Sequence, residues 1–318
     1  MKQKSKKPAN STKSVPYRSR DGKISKRPDP KKDKKDNPPP KRGIKAGTRA
    51  GRILAEQRDA PGDSRPEKHQ TSALKIRMTL FGIHACEAAV MNPTRAMQAI
   101  YCTDATENMA YEWVGRARKL GIKRPDPVLL EKQTFDRALP KGTVHQGVGI
   151  DAAQLSEVFL SDIINTTIHK KKSVIVLLDQ VTDPHNLGAV MRSACAFGAD
   201  AIIVQSKYAP ELNGIVAKTA CGAVESLAVV YETNLSRSIE TLQEQGYFAL
   251  ALDERGQETI NQTSKFDKTL LVLGAEGPGL RPLIREKCDV LVKLPTSGAF
   301  SSLNVSNAAA VALYAVVT

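Results

Sequence analysis

The chain has 318 residues, with 47 Lys and Arg against 33 Asp and Glu, a formal net charge of +14. Residues 1–73 hold 22 basic and 8 acidic side chains, which accounts for the whole excess, while residues 74–318 balance at 25 of each. This excludes a uniformly basic globule and separates a cationic tail from a neutral body long enough for two domains.

Nine of the 18 prolines lie in residues 1–73, among them Pro38-Pro39-Pro40, and Tyr17 is the only aromatic residue there. Such a segment cannot bury enough apolar surface to offset its conformational entropy, so a disordered basic tail is expected. It lacks the apolar core of a secretory signal. Being rich in Lys and containing acids such as Asp29 and Asp33, it is also unlike an amphipathic mitochondrial leader. No apolar run reaches the roughly 20 residues of a membrane span. A cytoplasmic protein without a membrane partner is expected. The five cysteines (Cys86, Cys102, Cys195, Cys221, Cys288) are odd in number and never spaced as CxxC. The five histidines show no metal-ligand spacing, so reduced thiols and no metal are expected.

Residues 79–155 read as a small mixed domain. Its elements are a helix over 83–90, a strand over 99–102, a helix over 107–120 stopped by Gly121, and a strand over 143–150 bearing His145-Gln146-Gly147-Val148. Residues 156–172 are a connector with a short amphipathic piece and the basic run His169-Lys170-Lys171-Lys172. From Ser173 the texture changes to short unbroken apolar runs at 174–178, 201–204, 227–230, 248–252, 270–273 and 290–294. Helical stretches at 187–197, 236–245 and 305–317 alternate with many of them. Continuous apolar strands separated by helices predict an α/β domain over 173–318, a parallel sheet covered on both faces, with ligands held in loops at the carboxyl ends of strands.

Three such loops carry the polar residues that chemistry needs. The first is Asp179-Gln180-Val181-Thr182-Asp183-Pro184-His185-Asn186-Leu187-Gly188, where Asn186 suits a helix N-cap as well as a functional amide. Arg192, six residues on, has the apolar neighbours Val190, Met191, Ala194 and Cys195. That puts it at the border of a largely buried helix, where a long cation calls for a carboxylate or phosphate partner. The second is Gly274-Ala275-Glu276-Gly277-Pro278-Gly279-Leu280. Its glycines fit a tight strand-to-helix turn or a backbone that approaches a ligand closely, and Glu276 among exposed donors favours the ligand. Its spacing is neither a dinucleotide-binding fingerprint nor a Walker A loop. The third, residues 294–306, contains Ser302, Leu303 and Asn304, which could cap the last helix or serve a site. Three polar loops at corresponding ends of one sheet favour a single composite site.

These residues also carry a resemblance. Val181-Thr182-Asp183-Pro184-His185-Asn186-Leu187-Gly188-Ala189-Val190-Met191-Arg192-Ser193-Ala194 resembles the first motif of SpoU-type RNA ribose 2′-O-methyltransferases of the SPOUT superfamily. Leu273-Gly274-Ala275-Glu276-Gly277 resembles their second motif and Ser302-Leu303-Asn304-Val305-Ser306 their third. Residues 79–155, with Phe81-Gly82-Ile83-His84 and His145-Gln146-Gly147-Val148, are similar to the small ribosomal-protein-like RNA-binding domain of the 23S rRNA guanosine methyltransferase branch.

The resemblance implies an α/β fold with a C-terminal trefoil knot, S-adenosylmethionine as methyl donor, 23S rRNA as RNA partner, and a homodimer. It implies cofactor contacts at Gly274, Gly277, Leu294 and Leu303, and functional polar positions at Asn186, Arg192, Glu276, Ser302 and Asn304. Thr296, where a Met is common, and Asn307, where an apolar residue is usual, depart from the pattern. A tRNA ribose methyltransferase and a non-catalytic RNA-binding protein on the same fold are the alternatives.

Overall fold

The computed structural model describes residues 76–263, 265–297 and 303–318. The tail over 1–73 and Ser302 therefore lie outside the described residues. The first part of the described chain runs β1 (Leu80–Phe81), α1 (Ile83–Met91), β2 (Met97–Cys102), α2 (Glu107–Lys119), β3 (Pro127–Leu129), α3 (Lys132–Ala138) and β4 (Val148–Ala152). Its four strands form a sheet in the order β1-β4-β2-β3, with β4 antiparallel to both β1 and β2. Helix α2 forms because Ala110, Trp113, Val114 and Ala117 recur at helical spacing and are all buried. Arg116, Arg118 and Lys119 occupy its last turn, where cations complement the helix dipole.

The strand expected from residue 143 starts only at Val148. Gln146 (φ 57°) and Gly147 (φ 77°) are left-handed, a conformation that no strand accepts, so residues 143–147 make a turn. His145 is buried in that turn, stacked on Phe135 with ring centroids 4.9 Å apart. Its Nδ1 accepts from the Gly147 amide at 3.1 Å.

After α4 (Leu160–Thr167), the chain continues through β5 (Ser173–Asp179), α5 (Pro184–Ala196), β6 (Ala201–Gln205), α6 (Gly214–Thr219), β7 (Ala228–Glu232) and α7 (Leu235–Glu244). Then come β8 (Phe248–Leu252), β9 (Glu258–Thr259), β10 (Lys268–Gly274), α8 (Pro282–Lys287), β11 (Val290–Lys293) and α9 (Val305–Val317). The seven strands lie in the order β7-β6-β5-β10-β8-β11-β9, and every pairing is parallel. Alternate residues of β5 divide between two cores: Val176 and Leu178 pack with Leu187, Met191 and Ala309 of α5 and α9, and Ile175 and Leu177 with Ile239 and Ile284 of α7 and α8. The expected parallel α/β sheet, covered on both faces, is what the chain forms.

The two sheets are joined by a buried polar cluster. Arg95 Nη2 lies 3.2 Å from Glu225 Oε1, with both side chains 4% exposed, and Asn92 Nδ2 donates to Glu225 Oε2 at 2.8 Å. Burial pulls the Arg95 guanidinium down while the Glu225 carboxylate holds it up. Of the five cysteines Cys86 and Cys102 are buried and the others half-buried; burial, with Asp289 and Asp179 adding to it, pushes the Cys288 thiol up to about 12, which leaves it a protonated, poor nucleophile. No helix among the described residues is long and apolar enough to cross a membrane.

Candidate active site

Because the large sheet is parallel, the loops after β5, β10 and β11 all open at one end of it. Strand β5 ends in Asp179, fully buried, whose carboxylate takes the Arg281 guanidinium (Nε at 2.8 Å, Nη2 at 2.7 Å) and the Arg281 amide (3.0 Å). Arg281 closes the glycine turn after β10, and Gly274 pairs with Asp179 in the sheet, so one buried carboxylate fixes two loops against each other. A second arginine, Arg285 of α8, donates to Asp253 Oδ2 at 3.0 Å and to the Leu280 carbonyl at 2.8 Å, tying the same turn to the end of β8.

Within the turn, Gly274 meets a strict steric demand. A Cβ there would lie 2.3 Å from the Gly279 carbonyl carbon and 2.4 Å from the Leu280 nitrogen, both backbone atoms with no freedom to retreat. The chain thus folds back on itself, with Ala275 and Gly279 bridged antiparallel, and holds Glu276 exposed at the tip.

The cap of α5 is Asp183 and not Asn186. Its carboxylate accepts from the His185 amide (3.2 Å) and the Asn186 amide (3.3 Å), with Pro184 in the first turn, where a missing N–H costs nothing. Asn186 is thereby released for another contact. At the opposite loop Asn304 caps α9: its Oδ1 accepts from the Ser306 amide (2.9 Å) and hydroxyl (2.6 Å). Its Nδ2 donates to Asn186 Oδ1 at 3.0 Å and to Glu276 Oε2 at 3.1 Å. One amide therefore joins residues of all three loops. Asn186 Nδ2 and Glu276 Oε1 have no hydrogen-bond partner among the described residues, so both remain available to a ligand.

Beside this junction lies a cleft of about 480 Å³. Gly274, Glu276 and Gly277 line it from the turn, Leu294 from the β11 end, and Leu303 from the approach to α9. Leu252, Asp253, Glu254 and Arg255, at the end of β8, form another wall. Sequence reasoning missed that wall, although the rule of looking at carboxyl ends of strands applied equally to the polar run Asp253-Glu254-Arg255 after the apolar one. Arg192 stands apart. It lies six residues beyond Asn186, about 9 Å along the helix, is exposed rather than at a buried border, and has no carboxylate partner among the described residues. The structure thus gathers Asn186, Glu276, Asn304, Gly274, Gly277, Leu294 and Leu303 at one place and leaves Arg192 open to solvent.

Comparison with known proteins gives this geometry a context. Residues 173–314 match the model of the SpoU rRNA Methylase family. The chain is 35% identical over 240 residues to the 23S rRNA (guanosine-2'-O-)-methyltransferase RlmB of Haemophilus influenzae, a match covering 75% of this chain and 96% of that protein. Against the protein of the same description from Pseudomonas putida it is 36% identical over 239 residues, covering 74% and 94%. Among solved structures, the SpoU methyltransferase AviRb from Streptomyces viridochromogenes in complex with AdoMet superposes with a TM-score of 0.61 at 24% identity, covering 75% of this chain and 88% of that one. An AdoMet-bound rRNA methyltransferase from Sinorhizobium meliloti gives 0.60 at 18% identity, covering 75% and 86%. These likenesses establish the SpoU methyltransferase fold.

Proposed function

The chain belongs to the SpoU rRNA methylase family, and on that premise we propose that it transfers a methyl group from S-adenosylmethionine to the ribose 2′-hydroxyl of a guanosine in 23S rRNA. The observation that carries the reading is the Asn304 amide, which locks Asn186 and Glu276 together at the mouth of the cleft. A cleft of about 480 Å³ is the size expected for a small-molecule site. Its leucines suit an adenine ring, and the exposed carboxylates of Glu276 and Glu254 suit a ligand bearing a sulfonium and an ammonium. In this reading Gly274, Gly277, Leu294 and Leu303 hold the donor, which supplies an electrophilic methyl carbon when bound.

The chain's own residues must then aim a ribose oxygen and stabilise the charge that develops on it. Asn186, whose Nδ2 has no partner among the described residues, orients the ribose, and Asn304 sets the rotamers of Asn186 and Glu276. Ser302 belongs to the same loop as Asn304 and is assigned to orienting the ribose or the loop itself. Arg192 is unsuited to be a base, since a guanidinium holds its proton too tightly to exchange it in a protein. Exposed and without a carboxylate partner among the described residues, it suits a grip on the acceptor's phosphate or ribose and stabilisation of alkoxide charge, with a substrate phosphate or water taking the proton.

Around this centre, the division reads as a basic tail over 1–73, a small ribosomal-protein-like RNA-binding domain over 79–155, a linker over 156–172 and the methyltransferase domain over 173–318. The C-terminal segment is read as threaded into the trefoil knot. Supporting that, β11 inserts between β8 and β9, and α9 turns back to pack with α5 in one core. A homodimer is supported by the uncovered apolar side of α9, where Val311 and Tyr314 are 47% and 59% exposed. A cytoplasmic location goes with an rRNA substrate.

The test is incubation of the purified protein with methyl-labelled donor and unmodified 23S rRNA, followed by nucleoside analysis. Label is expected in 2′-O-methylguanosine; label in tRNA alone, or in no RNA, would overturn the proposal.

A further inference from the structure

The cleft and its junction use the strand ends of β5, β8, β10 and β11, and leave those of β6 and β7 uncommitted at the same end of the sheet. The turn 206–208 follows β6 and presents Tyr208, 41% exposed, with Lys207 Nζ 5.3 Å from its ring centroid. Tyr231, next to last in β7, is 42% exposed. The turn is tied to β7: the Ser206 amide donates to the Glu232 carbonyl at 2.9 Å, and the Ser206 and Thr233 hydroxyls lie 3.3 Å apart. The turn that carries Tyr208 is therefore anchored against the end of β7 that carries Tyr231.

The register places that patch relative to the reaction. Leu273, Leu178, Val204 and Tyr231 are partners in successive strands, so Tyr231 stands in the same row as the residues just before Gly274 and Asp179. Partners in a parallel row share a face, and here it is the face carrying α5 and α9, hence Asn186 and Asn304. At a strand spacing of roughly 4.8 Å, Tyr231 is about 10 Å from β5, within the span of a few nucleotides.

We infer that Tyr208, Tyr231 and Lys207 form a stacking platform for single-stranded RNA, engaging nucleotides adjacent to the one that is methylated. Naming those nucleotides rests on the methyl-transfer reading; the platform itself rests on the patch. Every base has a π-face, so tyrosine rings bind single strands with little regard to sequence, and a nearby cation takes the phosphate. Lys207 has no carboxylate partner among the described residues, which leaves its charge for that purpose. Burial, and after it Glu211, push the Tyr231 phenol upward, so its ring stays neutral beside an anionic strand. This side of the sheet also meets the small four-stranded sheet, since Tyr231 lines the large cleft between them together with Asn213 and Arg95. A strand lying on the platform would therefore run from the small domain toward the reaction site.

The full chain should be titrated into a fluorescent, unstructured RNA oligonucleotide, with anisotropy as readout. Elevated salt screens the tail's charges while leaving stacking in place. Tyr208→Ala and Tyr231→Ala are each expected to raise the Kd at least about 5-fold, the lower end of what loss of one base–aromatic stack produces. Tyr208→Phe, which keeps the ring, should stay within about 2-fold of wild type. Lys207→Ala should flatten the slope of log Kd against log salt by about 0.7, one single-strand phosphate contact. Both alanine variants binding the RNA as tightly as wild type would overturn the platform. S-adenosylmethionine affinity, measured in parallel, should be unchanged in all four variants. A wild-type chain that bound no donor would defeat the methyl-transfer reading alone, with the RNA titration still deciding the platform.

Discussion

Asn304 shows how one side chain can organise a site that three separate segments supply. Its carbonyl oxygen is consumed in capping α9, which fixes the rotamer and leaves the amide nitrogen to bridge Asn186 and Glu276. The sequence pattern identified all three residues but could not reveal that they touch, because pairings of residues 28 and 118 positions apart depend on the sheet order. It also misassigned the helix cap. Asp183 and Asn186 both suit that role, and only Pro184, which belongs in the first turn, decides for Asp183. Arg192 differs from expectation in the opposite way: apolar neighbours in sequence implied a partly buried cation, but on a helix the residues beside it turn inward while it turns out. Single-turnover methylation by Arg192→Ala at saturating RNA is therefore expected to fall by at least about 100-fold, the scale of losing one charge-stabilising donor. A rate near wild type would remove Arg192 from both the gripping and the charge-stabilising role.

At the scale of elements, the glycine turn after β10 is held from both ends, by Asp179 through Arg281 and by Asp253 through Arg285. Such a turn keeps the cleft wall in place without a ligand, which is what a preformed site requires. Gly274→Ala would force a methyl group into the backbone of Gly279 and Leu280, so the variant is expected to lose about 1–3 kcal/mol of stability and most of its affinity for the donor. Thermal melts and calorimetric titration would measure the two, and an unperturbed variant would show that the turn can open at no cost. The apolar strands of the large sheet were legible because each is a short unbroken run buried on both faces. Short elements such as β1, β3, β9 and α6 were not, since a few residues carry no periodicity and exist only by pairing or packing with distant ones. The turn at 143–147 was read as strand because the left-handed backbone of Gln146 leaves no trace in residue type.

For the whole molecule, charge and chemistry are segregated. The body from residue 74 is electrically balanced, and the excess of +14 sits on the first 73 residues, where lysines can neutralise phosphates without reading sequence. Deleting residues 1–73 is expected to flatten the salt dependence of rRNA binding while leaving donor binding intact; filter binding across a salt series would check this, and an unchanged slope would deny the tail any part in RNA binding. Specificity would then reside in the small domain, the cleft and the strand ends beside it. That the three loops form one pocket for the methyl donor is tested most directly by calorimetric titration of the purified chain with S-adenosylmethionine. One molecule bound per chain is expected, with affinity reduced about tenfold or more in Asn304→Ala as Asn186 and Glu276 lose their common partner. No binding by the wild-type chain, or binding indifferent to Asn304, would contradict it.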